Sequence, residues 1–136
     1  MLFNPLVRTM PVSYRIDKAL GTIHTKCFGD LTFEEVMDHF RVLEQDPDCP
    51  EKLDVLLDMT ECTSIPETDQ LRSAGAAVGK IRDRVRFDAC AIVAASDLWF
   101  GMARMFLVFA EDYFRVSQVF RDLDEGKKWL VSNSVD

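Results

Sequence analysis

Leu53-Asp54-Val55-Leu56-Leu57-Asp58-Met59 is a short, nearly continuous apolar run bounded by polar residues. Such a run suits a strand covered on both sides, as in a parallel sheet. A second stretch of the same kind, Phe87-Asp-Ala-Cys-Ala-Ile-Val-Ala-Ala95, follows later in the chain. Parallel strands need a crossover between them, usually a helix. The intervening sequence supplies one. Thr60 to Pro66 reads as a connecting loop, and Glu67 and Asp69 place acids in the first turn of a helix, where the dipole favours them. The inner stripe of that helix is Leu71, Ala74, Val78 and Ile81. Ala74, Gly75, Ala76, Ala77 and Gly79 let it lie close on its neighbours, at a propensity cost of about 1 kcal/mol for each glycine relative to alanine.

Working outward, Val12, Tyr14 and Ile16 alternate with polar residues, which is the two-residue period of a half-buried strand. Gly21 can supply a positive φ, and Thr22 to Phe28 resumes strand composition, so residues 11 to 28 read as an antiparallel hairpin. Thr32 and Glu35 form a capping box that opens a helix. Phe33, Val36, Met37, Phe40 and Leu43 recur on its inner face, and Asp46-Pro-Asp-Cys-Pro ends it. His39 sits at the rim of that face and is expected to be structural. On the other flank, Ser96 or Asp97 caps a helix running from Leu98 to Ala110 in which only Arg104 is charged. An all-round apolar helix does not belong on the surface of a monomer. At about 1.5 Å per residue it reaches only about 20 Å, against about 30 Å for a hydrocarbon core, so a membrane span is excluded. An apolar cavity or a buried homodimer patch is therefore expected to touch it, with Trp99, Phe100, Met102 and Phe106 as the candidate ligand wall. Val116-Ser-Gln-Val-Phe is the last strand, and Asp122 with Glu125 caps a terminal helix carrying Trp129 and Leu130. The order β-β-α-β-α-β-α-β-α predicts one α/β domain over residues 11–136, preceded by an arm over residues 1–10. Its sheet is mixed and mostly parallel.

The 136 residues are 48% hydrophobic, enough for one core. Sixteen basic against 23 acidic residues give a net charge of −7, the wrong sign for a nucleic-acid binder. Residues 30–70 hold 13 acids and 2 bases, whereas residues 1–29 hold 4 bases and 1 acid. Lys80, Arg82, Arg84 and Arg86 read as a solvated helix end and loop, with an anion-binding edge as the alternative. Cys27, Cys49, Cys62 and Cys90 show no C-x-x-C spacing, and His24 and His39 stand apart from them, so no metal site is expected. The start of the sequence lacks the features of a secretory signal, which leads us to expect free thiols in a cytoplasm. Asp54, Asp58, Glu61 and Cys62 lack a nearby activating histidine, so no catalytic residue is assigned. The glycines fit neither dinucleotide nor P-loop patterns, and no cofactor is expected.

Several stretches in order resemble the SpoIIAA-like family, a branch related to STAS and Sec14-type domains. They are Tyr14-Arg-Ile-Asp, Gly29-Asp-Leu-Thr-Phe-Glu-Glu, Asp54-Val-Leu-Leu-Asp-Met, Ala91-Ile-Val-Ala, Phe100-Gly-Met-Ala-Arg-Met-Phe, Val119-Phe-Arg-Asp and Trp129-Leu. The resemblance implies a STAS-like fold and a non-enzymatic regulatory or carrier module that accommodates a small nonpolar, lipid-like ligand. The alternative it implies is a protein-interaction module, a STAS-type regulator resembling anti-sigma antagonists. STAS regulators carry an Asp-Ser-Ser-Gly type sequence whose serine is phosphorylated. Here the matching loop is Asp58-Met-Thr-Glu-Cys-Thr-Ser-Ile-Pro, without that glycine or serine pair. Asp58, Thr60, Thr63 and Ser64 form the candidate regulatory loop, with hydroxyls near a helix start where phosphate is welcome, opposed by Glu61 and Glu67.

Overall fold

A computed structural model describes residues 11–135; the arm expected over residues 1–10, and Asp136, lie outside the described residues. Five strands form one sheet: β1 (Val12–Asp17), β2 (Thr22–Gly29), β3 (Lys52–Cys62), β4 (Arg86–Val93) and β5 (Val116–Phe120). Four helices accompany them: α1 (Phe33–Gln45), α2 (Thr68–Lys80), α3 (Asp97–Ala110) and α4 (Leu123–Asn133). β1 and β2 are the antiparallel hairpin, turning through Gly21 at φ +65°, and every later pairing is parallel.

The strands lie side by side in chain order. Right-handed crossovers between successive neighbours must then all fall on the same face of the sheet. So α1, α2 and α3 share one face, and α4, which follows the last strand, covers the other. The core divides accordingly. Ile23, Leu53, Val78, Ile81 and Val85 are buried on the three-helix side, and Leu56, Ala89, Ala91, Val93 and Leu130 on the α4 side.

The local signals act as read. Thr32 Oγ1 accepts from Glu35 N at 3.2 Å while Glu35 Oε1 accepts from Thr32 N at 2.9 Å. Ser96 Oγ caps α3 through Trp99 N, and Asp122 caps α4 through Glu125 N. α1 has no basic residue in its last turn. Arg84 supplies the charge from across the fold, its guanidinium donating to Asp46 O at 2.7 Å and Cys49 O at 3.1 Å. One boundary differs from expectation. β3 runs on to Cys62, so Asp58, Thr60 and Glu61 belong to a strand and the loop begins at Thr63. The reason is the neighbour: β2 extends to Gly29 and pairs Phe28 with Glu61 and Gly29 with Cys62.

α2 packs tightly on α3. A Cβ on Gly75 would stand 3.0 Å from Phe109 Cβ, and one on Gly79 would collide with the Tyr113 ring. No such close fit joins α1 to α3, and the sheet between them is left partly bare.

Candidate functional site

The bare region is a cavity of about 530 Å³. Its floor is the three-helix face of the sheet, with Ile23 and Thr25 from β2, Val55 and Leu57 from β3, and Cys90 and Ile92 from β4. These positions alternate along their strands, so the two-residue period puts them all on one side. Its walls are the inner faces of the helices: Val36, His39 and Phe40 from α1, and Leu71, Ala74 and Val78 from α2. Trp99, Met102, Ala103 and Phe106 from α3 close the third side. The cavity runs along the strands, and its solvent-exposed lining residues, Asp30, Thr32, Ile65 and Glu67, all lie beyond the carboxyl ends of β2 and β3. That end is the mouth.

Within the cavity the polar groups are few. His39 is half-buried, edge-on to Tyr14 with ring centroids 5.4 Å apart, and burial pushes its imidazole down to about 4, so it is neutral at physiological pH. Trp99 Nε1 is buried with no hydrogen-bond partner among the described residues. An unpaired buried donor costs about 1–3 kcal/mol. Tyr14 is fixed behind His39 by donating to Asp46 Oδ2 at 2.6 Å; burial, first, and that bond push the phenol up to about 12.

Of the four residues expected to form the apolar wall, Trp99, Met102 and Phe106 line the cavity. Phe100 does not; its ring lies under the Arg121 guanidinium, 4.3 Å from the ring centroid. Of the candidate regulatory residues, only Ser64 reaches the lining. Its hydroxyl donates to Leu31 O at 2.9 Å and accepts from Leu31 N at 3.0 Å, tying the two mouth loops together. Asp58 Oδ1 accepts from Thr60 N and Thr60 Oγ1, so both side chains are committed to strand geometry. Asp54 and Asp58 share the α4 face of β3, away from the cavity. Asp54 Oδ1 accepts from Ala89 N at 3.0 Å beside the register shift between β3 and β4, and Oδ2 accepts from Ser134 Oγ at 2.8 Å.

The cysteines are all buried free thiols. Burial pushes Cys27 up to about 12 and raises Cys49 and Cys90 as well, which leaves them protonated and weakly nucleophilic. Among the described residues no group of three or more His, Cys, Asp or Glu could hold a metal ion, and no helix is long and apolar enough to cross a membrane. α3 retains an uncovered outer stripe, with Leu98 48%, Met105 38% and Val108 63% exposed.

The α1 and α2 walls were not found from the sequence. Their stripes were legible as core-facing, but periodicity reports which side points inward and not how far away the facing element stands.

The sequence matches no protein-family model, and no curated protein matches it. A solved structure does match. It is an uncharacterised protein from the DUF3478 family, with a SpoIIAA-like fold, from Shewanella loihica PV-4. The two superpose with a TM-score of 0.58 at 20% identity, over 88% of this chain and 91% of that one. The chain thus has a SpoIIAA-like, STAS-like fold, as the resemblance of its strand and cap sequences implied.

Proposed function

We propose that this chain is a non-enzymatic carrier or regulatory domain whose cavity holds a small nonpolar, lipid-like ligand. The observation that carries the reading is the apolar cavity of about 530 Å³ opening at the carboxyl ends of the parallel strands. Its volume falls within the range of small-molecule sites, roughly 300–1,000 Å³. Water gains little against such walls, whereas each methylene moved into them contributes about 0.8 kcal/mol. The absence of an assigned reaction is supported by the raised thiols, the neutral His39 and the commitment of Asp54 and Asp58 to backbone bonds.

Native mass spectrometry of the detergent-free protein tests the proposal. The expected result is a population heavier than the chain by one hydrophobic small molecule, recoverable by organic extraction. A bare chain that also fails to take up decanol after delipidation would overturn it.

One observation favours a second reading, the STAS-type protein-interaction module. The outer stripe of α3 is apolar and uncovered. If it seats a second copy of the chain, light scattering will report a dimer that Val108→Asp converts to monomer. An unchanged monomer mass in both proteins removes the homodimer.

A further inference from the structure

We propose that the cavity discriminates by head group, accepting amphiphiles with uncharged or cationic heads and rejecting carboxylates. The inference rests on the carrier reading and adds the ligand class. Among the described residues no lysine or arginine lines the cavity or its mouth. The only residue there that could become cationic is His39, held neutral by burial. The two carboxylates that do line it, Asp30 and Glu67, both stand exposed at the mouth.

Helix N-termini are the other usual anion sites. Here they are already supplied with negative charge. The Thr32 N–H at the start of α1 is taken by Glu35, and Glu34 lies beside it. The N-cap of α2 is itself Glu67, whose backbone N–H donates to Gln70 Oε1 at 2.9 Å, with Asp69 in the first turn. An incoming carboxylate therefore meets like charge at the mouth and finds both positive helix ends answered. Reversing the ligand does not help. A carboxylate deep among Leu57, Ile92 and Phe106 would find no counter-charge, and an unpaired buried ion costs several kcal/mol. A hydroxyl or ammonium at the mouth instead meets acceptor oxygens on Asp30 and Glu67.

The test is calorimetric titration of the full chain with decanol, decylammonium and decanoate, each below its aggregation threshold and at neutral pH. The apolar tail is constant, so head-group charge is the variable. Decanol and decylammonium are expected to bind, with decanoate at least about ten-fold weaker. In the Asp30→Asn/Glu67→Gln protein the gap between decanoate and decanol should close to within about three-fold. Asp30→Asn alone, which leaves the α2 cap untouched, should close part of it if the double variant folds poorly. Decanoate binding the unaltered chain as tightly as decanol would overturn the head-group proposal while leaving the carrier reading intact. Failure of all three to bind would overturn both. Ala74→Leu, which narrows the cavity, should weaken decanol and decylammonium together; decylammonium uptake that it leaves unchanged is surface adsorption and counts against the proposal.

Discussion

The two faces of the sheet are built from the same strands and packed to different ends. On the α4 side, β4 presents Ala89, Ala91 and Val93, and α4 settles onto them through Gly126, where a Cβ would stand 3.0 Å from Val93 Cγ2. Small residues on both partners bring helix and sheet into contact, and Leu56, Phe120 and Leu130 fill the remainder. On the other side β3 and β4 present Val55, Leu57, Cys90 and Ile92 to three helices that stand apart at α1. Close packing there would need a small-residue surface on α1, and α1 has Phe33, Val36, Phe40 and Leu43 instead. Leu43 is fully buried in the core, and Val36 and Phe40 line the gap from α1. The difference teaches that the same strands can be close-packed along one face and leave a cavity between the helices on the other.

The sharpest way to break that comparison uses two consecutive leucines. Leu56 is 3% exposed on the close-packed face, and Leu57 lines the cavity. Leu56→Ala should cost about 3–4 kcal/mol in urea unfolding of ligand-free protein, and Leu57→Ala only about 1–2 kcal/mol, because its neighbours on one side are already missing. Equal losses would mean that both faces are close-packed in solution.

A second pair adds volume instead of removing it. Ala91→Leu, against α4, should destabilise by about 1–3 kcal/mol through overpacking. Ala74→Leu, pointing into the cavity, should stay within about 1 kcal/mol of the parent. A large loss from Ala74→Leu would show that the hollow is smaller than the structure gives.

The smallest effect is a pH dependence. His39 is held at about 4 when folded, against about 6.5 unfolded, so the unfolded chain binds the extra proton between those values. Its contribution is present above pH 6.5 and is lost as pH falls toward 4. With the residue still partly exposed to solvent, the loss should be on the order of 1 kcal/mol. His39→Phe should flatten stability between pH 6.5 and 4, and an unchanged slope would place the sensitive group elsewhere. Ligand should protect the parent in the same window.

The hairpin, the four helices and the parallel strands were legible because each announces itself locally: alternation in Val12–Ile16, the Thr32/Glu35 box, the Ser96 and Asp122 caps. The end of β3 was not legible. Thr60 and Glu61 are polar and exposed, and only the length of β2 beside them makes them strand. Trp99, Met102 and Phe106 stood out in sequence because their helix carries a single charge, yet the cover that reading expected is absent from its outer stripe at Leu98, Met105 and Val108; the α1 and α2 walls were not legible, since a void is a property of spacing between elements. Arg84 reaching over to the end of α1 left no trace in sequence either, as its partners are carbonyls that every residue carries.

The sequence contains two tryptophans, and the fold places one on each side of the sheet. Trp129 packs against Phe120 beneath α4, ring centroids 5.6 Å apart, while Trp99 borders the cavity with its indole nitrogen unsatisfied. The molecule thereby carries its own optical gauge. Filling that space with a ligand should shift the emission of Trp99, a change that a Trp129→Phe protein would report alone.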